Sequence, residues 1–187
     1  KRIVWTPEQA ISFLKVAKGD RRYALYVAAL TTAMRQAELL GLQWQHVDFE
    51  NRIIHVCQAL ETDKSGRALG FKDTKTENSE RYIFMSDLLL EALKELKKKQ
   101  AEEKLKNRQI WDESWNLVFC QEDGRPYNPL SLTRYNFKNL IKKANVPKIR
   151  FHDLRHTSLS LLKALGVDSR IIQEIAGHSS PAFTARQ

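Results

Sequence analysis

The densest polar run in the chain is Phe151–His152–Asp153–Leu154–Arg155–His156–Thr157. His152 and Arg155 stand three apart, so on a helix they share a face. Arg presents a planar fork of donors suited to a phosphate, and His exchanges a proton near neutral pH. Phosphoryl transfer needs both. An isolated pair of this spacing is, by itself, more often a capped helix start with an exposed His and Arg. A second cluster runs from Ala33 to Leu42, where Arg35 follows an apolar stretch and Glu38, three residues on, can orient it. Alone, it is an ordinary intrahelical ion pair. A third, Ile175–Ala176–Gly177–His178–Ser179–Ser180, places a histidine between two helical stretches.

The elements that must position these groups are well punctuated. Thr6, Pro7 and Gln9 predict a capping box and a proline-initiated helix carrying Ile11, Phe13, Leu14 and Val16. A second helix is predicted from about Arg21 toward Met34, and a third from Gln36 to Leu40, with Gly41 as its C′ residue. The period then changes. Arg52 to Ala59, Ala68 to Thr74 and Arg81 to Met85 read as strands of one small antiparallel sheet, with turns at 48–51 and 64–66. Ser86 caps a long helix whose far end, Lys97 to Arg108, is charge-rich and reads as a solvated face. Leu117 to Cys120 reads as a short strand, and Asn128–Pro129 opens a helix reaching Lys143. Two helices end the chain, Asp153 to Leu165 and Asp168 to Ala176, with a new start at Ser180–Pro181. The fold class is α+β: one mostly helical domain with a minor sheet.

Composition narrows the partners. The 187 residues carry a formal charge of +9, and 42 % are hydrophobic, enough for a packed core. A pI near 9.6 favours a polyanion, most often nucleic acid. Cys57 and Cys120 lie far apart without a CxxC partner, which argues against a disulfide framework and a cysteine zinc site. No apolar run approaches the roughly 20 residues of a membrane span.

Taken together and in order, the three clusters resemble the catalytic domain of the tyrosine recombinases, the phage and transposon integrase family. Thr32–Ala33–Met34–Arg35–Gln36–Ala37–Glu38–Leu39 follows the first family box, with Ala33 where glycine is usual. His152–Asp153–Leu154–Arg155–His156–Thr157 matches the second in full, and Ala176–Gly177–His178–Ser179–Ser180 departs from the third only by Ala for Leu. The resemblance spans essentially the whole chain, residues 1–187. It further implies a lysine on a hairpin between the first two boxes. Lys75 fits, because the segment from Lys75 to Ile83 resembles the family's lysine-turn-Arg-x-(I/V) pattern; Lys72 is the alternative.

The resemblance implies a mechanism in which a tyrosine hydroxyl attacks the scissile phosphate. The phosphate becomes linked through its 3′ side to the tyrosine, and a 5′ hydroxyl is freed. Arg35 and Arg155 would stabilise charge on the non-bridging oxygens. Lys75 would protonate the leaving oxygen, His152 would assist proton removal, His178 would bond the phosphate, and Glu38 would support Arg35. No cofactor and no metal is implied. The partner would be double-stranded DNA, and the setting the cytoplasm of a prokaryotic cell carrying a phage or other mobile element.

The nucleophile is where the pattern departs. Nine residues after His178 stands Gln187, and Tyr23, Tyr26, Tyr82, Tyr127 and Tyr135 all lie elsewhere. The expectation is a catalytic domain cut just before its tyrosine; replacement by Gln187 is the other option. The chain as written is expected not to cleave DNA, and to be a monomer, with a tetramer on DNA for the full-length protein. The family's N-terminal core-binding domain is expected to be absent, since Trp5–Thr6–Pro7–Glu8 already resembles the catalytic-domain entry. Lys142, Lys143, Lys148 and Arg150 are further candidates for phosphate contacts. Two rivals remain: a non-catalytic DNA binder using a helix–Gly–helix at 168–180, and a metal-dependent nuclease using His152, His156 and His178.

Overall fold

The computed structural model describes residues 3–73 and 80–177. Lys75, His178 and the start at Ser180–Pro181 therefore lie outside the described residues. Helix α1, Pro7–Ala17, begins as its sequence dictates: Thr6 and Gln9 close a reciprocal capping box, with Pro7 in the first turn. Helix α2, Tyr23–Thr32, is buried on nearly every side and forms the spine of the domain. It stops two residues short of Met34 because Ala33 turns left-handed, at φ 51°. A short helix α3, Gln36–Leu40, follows immediately.

Gly41 ends α3, but not as a left-handed C′ residue. Its φ is −96°, and glycine is required there by space. A Cβ would stand 2.5 Å from the Leu60 backbone nitrogen, so the helix end presses directly on a strand.

The predicted single sheet is two. Strands β1 (Val47–Asp48), β2 (Ile53–Val56) and β5 (Arg81–Phe84) form an antiparallel sheet in the order β1-β2-β5. Strands β3 (Gln58–Thr62) and β4 (Ala68–Asp73) form a separate antiparallel hairpin. The expected strand 52–59 is thus split at Cys57. Leu117 to Cys120 does not form a strand; it makes only isolated bridges, Gln43 with Leu117 and Cys120 with Pro126. Its buried backbone is satisfied by scattered partners instead: Val118 N donates to Leu42 O, and Gln100 Nε2 donates to Val118 O.

Helix α4, Asp87–Lys106, is capped by Ser86 and packs along α2. Its charged end is mostly solvated, with one exception. Glu103 is largely buried and pairs with Arg21 at 2.6 Å. The helix opened by Asn128–Pro129 runs as α5 (Pro129–Ser131), a π-helical turn at 132–137, and α6 (Lys138–Ala144). The wide turn lets Leu132 and Phe137, five residues apart, both face the core, which a regular α-helix would not allow. Helices α7 (Asp153–Ala164) and α8 (Ser169–Ala176) follow, the latter closed by left-handed Gly177. An aromatic cluster of Trp5, Phe13, Tyr26, Phe137 and Phe151 ties α1, α2, the π-turn and the start of α7 into one core. Among the described residues, no helix is long and apolar enough to cross a membrane.

Candidate phosphate-binding site

The break between α2 and α3 presents Arg35. Thr32 Oγ1 bonds back to Ala28 O and accepts from Met34 N, and left-handed Ala33 reverses the chain where the family pattern has glycine. Arg35 then caps α3 with its own backbone. Glu38 Oε2 accepts from Arg35 N at 2.7 Å, and Glu38 Oε1 accepts from Arg35 Nη1 at 2.7 Å. The pairing of these two residues is as the spacing predicted. What spacing did not reveal is that Glu38 is only 2 % exposed while the Arg35 side chain remains 41 % exposed.

Glu38 also binds Arg81, a residue the functional argument from sequence passed over. Arg81 Nη2 donates to Glu38 Oε2 at 2.8 Å, and Nη1 to Oε1 at 3.3 Å. A signal was present in the alternation of β5, which turns Arg81 and Ile83 inward and leaves Tyr82 and Phe84 outward. Burial pushes the Glu38 carboxyl up, but Arg81 and Arg35 together outweigh it and hold Glu38 below the usual carboxylate range.

Arg155, in the first turn of α7, is buried beneath this pair at 4 % exposure. Its Nη1 donates to Ala33 O and its Nη2 to Ala176 O. Burial, with the neighbouring Arg35 and Arg81 charges, outweighs the pull of Glu38 and lowers its pKa to about 10. Arg35 and Arg155, 120 residues apart in sequence, are therefore close enough to repel each other.

The last turn of α8 faces all three guanidiniums. Arg81 Nε donates to Ile175 O at 2.8 Å, Arg155 to Ala176 O, and Arg35 Nη2 to Gly177 O at 3.5 Å. Three successive carbonyls at a helix C-terminus carry partial negative charge and suit cations. They are also neutral. These contacts hold the cations in place without discharging them, and Arg35 and Arg81 share the carboxylate of Glu38.

His152 is the N-cap residue of α7, at the surface beside this group. Partial burial, then the charges of Arg155, Arg150 and Arg35, lower its pKa against the pull of Asp153, which favours the neutral imidazole. Its ring lies edge-to-face with His156 at 5.4 Å. Asp153 fixes the approach to α7 by accepting from Arg150 N, Nε and Nη2 at 2.8–3.0 Å. Thr157 Oγ1 accepts from Trp5 N and ties the N-terminal segment to the same helix.

Next to His152 lies a cleft of about 340 Å³, floored by Phe137, Ile141, Ile149 and Phe151 and rimmed by Arg134, Lys138, Lys148 and Arg150. Lys148 and Arg150 thus line this cleft. Lys142 and Lys143 are exposed on the last turn of α6, outside the cleft. Lys72 lies on β4 in a 3.7 Å pair with Glu61, and its described contacts do not bring it to the guanidiniums. Tyr26 and Tyr127 are engaged in or near the core, where burial raises both pKa values, that of Tyr127 to about 12. Among the described residues, no group of three His, Cys, Asp or Glu side chains is arranged to hold a metal ion.

Two arginines, a glutamate and a histidine are thus brought together on a helical α+β scaffold. The chain belongs to the phage integrase family, which matches residues 4–187. It is 32 % identical to a XerC-like tyrosine recombinase of Caldanaerobacter subterraneus over 97 % of its own length and 48 % of that protein. It is 30 % identical to the transposase of transposon Tn916 of Enterococcus faecalis, over 98 % of this chain and 46 % of the relative. The chain spans about half the length of these curated relatives. Among solved structures, the Tn1549 transposon integrase in complex with circular intermediate DNA superposes with a TM-score of 0.82 at 28 % identity. That match covers 100 % of this chain and 62 % of the other. The XerA recombinase superposes at 0.73 with 25 % identity, over 98 % and 57 %.

Proposed function

We propose that residues 1–187 form the catalytic domain of a site-specific recombinase that cleaves and rejoins double-stranded DNA to integrate or excise a mobile element. One observation carries this: among the described residues, the guanidiniums of Arg35 and Arg155 lie close together, Arg155 bonded to two neutral carbonyls and Arg35 sharing the buried Glu38 carboxylate with Arg81. The excess positive charge at this point is matched by a phosphodiester whose non-bridging oxygens gain charge in the transition state.

In the reaction, the oxygen of a tyrosine forms a bond to the scissile phosphorus and the P–O5′ bond breaks. The tyrosine proton leaves with assistance from His152, whose neutral imidazole is ready to accept it. The departing 5′ oxygen takes a proton from Lys75, with Lys72 as the alternative donor. Arg35 and Arg155 bind the non-bridging oxygens, His178 adds a hydrogen bond, and Glu38 keeps Arg35 in place. The phosphotyrosyl bond stores the energy of the phosphodiester, so rejoining needs neither ATP nor a metal. Duplex DNA runs over the cleft rimmed by Arg134, Lys138, Lys148 and Arg150. This chain alone is a monomer in solution, and four full-length subunits assemble on DNA.

The test mixes the natural chain extended past Gln187 with nicked DNA from its own insertion junction in EDTA. The expected result is a protein–DNA adduct that survives SDS and maps to a tyrosine just beyond Gln187. Binding to that junction without an adduct, and with affinity falling steeply with salt, would instead identify a non-catalytic DNA-binding protein.

A further inference from the structure

We propose that Arg81 is a positioning residue for the phosphate-binding arginines, the latch that joins α3, β5 and the C-terminus of α8 into one rigid unit. The inference rests on the recombinase reading above. Arg81 is 8 % exposed, and among the described residues its three nitrogens reach groups distant in sequence: both Glu38 oxygens, 43 positions away, and Ile175 O, 94 positions away.

Each Glu38 oxygen is shared between Arg81 and Arg35. Oε1 accepts from both Nη1 atoms, while Oε2 accepts from Arg81 Nη2 and Arg35 N. The angle at which Glu38 meets Arg35 is therefore set by the fork of Arg81. The same fork anchors Ile175 O, and the next two carbonyls, Ala176 O and Gly177 O, hold Arg155 and Arg35. A shift of the α8 terminus relative to α3 would move both phosphate-binding guanidiniums at once. The close fit extends to Gly177, where a Cβ would stand 3.2 Å from Arg81 Nη1. The described hydrogen bonds of Arg81 go to Glu38 and Ile175, which places it behind Arg35 and Arg155 rather than beside the phosphate.

Geometry also says why Arg rather than Lys. A guanidinium bonds a carboxylate with two parallel donors and keeps Nε for a third partner; an ammonium is a single point charge. Arg81→Lys keeps the charge beside Glu38 and loses the simultaneous hold on Ile175 O.

The experiment uses the natural chain extended past Gln187 and follows single-turnover adduct formation on nicked junction DNA. Arg81→Lys is expected to melt cooperatively above the assay temperature and to bind DNA with unchanged affinity and salt dependence. Its adduct rate at saturating DNA should fall about 10²-fold, the scale of a small misplacement of catalytic groups. A folded Arg81→Lys protein that forms adduct within about threefold of the parent overturns the proposal. Should Arg81→Lys fail to fold, the uncharged pair decides. Glu38→Gln with Arg81→Gln should form adduct at least about tenfold more slowly than Glu38→Gln alone, and equal rates overturn the proposal.

A second readout needs no nucleophile. Sulfate should raise the melting temperature of the unsubstituted chain and have a much smaller effect on Arg81→Lys; equal shifts refute the latch. An unsubstituted protein that forms no adduct defeats the recombinase reading, while the sulfate comparison still decides the role of Arg81.

Discussion

Replacing Arg155 by Met is the sharpest test of the site, because two large effects on stability oppose each other there. The guanidinium donates to two buried carbonyls, Ala33 O and Ala176 O. Stranding a buried polar group costs roughly 1–3 kcal/mol, so losing both donors should cost about 2–6 kcal/mol. Against this stands the burden of the charge. A pKa lowered from the ordinary arginine value to about 10 implies about 3 kcal/mol of unfavourable cation burial at neutral pH. The sign is that of a cation depressed by folding: the penalty is fully present below about pH 10 and is relieved only as pH rises above that toward the ordinary arginine value. Met fills most of the space without the charge. The net loss of stability should therefore be small, about 1 kcal/mol and no more than about 3, read from urea and thermal unfolding of this chain. Cleavage should fall by about 10²–10³ or more in the extended protein, as for other preorganised oxyanion donors. Sulfate should stabilise the parent by RT ln(1 + [L]/Kd) and leave the Met variant nearly unmoved. A loss of more than about 4 kcal/mol with sulfate stabilisation intact would refute the argument, because Arg155 would then be structural.

Three further outcomes follow from the same geometry. Glu38→Gln removes the carboxylate shared by Arg35 and Arg81 and should cost about 3–5 kcal/mol, a melting-temperature drop of about 10 °C. Because the folded Glu38 pKa is depressed, its contribution is present above the unfolded value of 4.5 and disappears as pH falls through the lower folded value; the substitution should flatten that acid limb. His152, also depressed in the folded state, makes the protein lose stability as pH falls below 6.5, and His152→Asn should reduce the difference in melting temperature between pH 7 and pH 5. An unchanged pH profile would refute the neutral imidazole. Gly177→Ala imposes a side chain at φ 59° and crowds Arg81, so it should cost about 1–2 kcal/mol in thermal unfolding; a neutral effect would show that the α8 terminus is not tightly held.

The sequence by itself determined the local elements and singled out Arg35 and Arg155 as candidates. Thr6, Pro7 and Gln9 start α1, Ser86 starts α4 and Gly177 ends α8, because caps and glycines act within a few residues of where they stand. Arg35 and Glu38 are paired as their spacing of three implies, since a helical turn brings such neighbours together. Tertiary structure decided what depends on distant chain. Whether 52–59 was one strand or two was set by where β5 and β4 came to pair, not by its own alternation. Leu117 to Cys120 has strand composition, yet its backbone finds Leu42 and Gln100 rather than a ladder. Gly41 is required by the approach of β3, and Arg155 is buried by α2 and α8, neither of which its own helix predicts. Arg81 is the clearest case. Alternation turned it inward, but only the meeting of α3 and α8 at that point supplied the carboxylate and carbonyl that make a buried guanidinium stable.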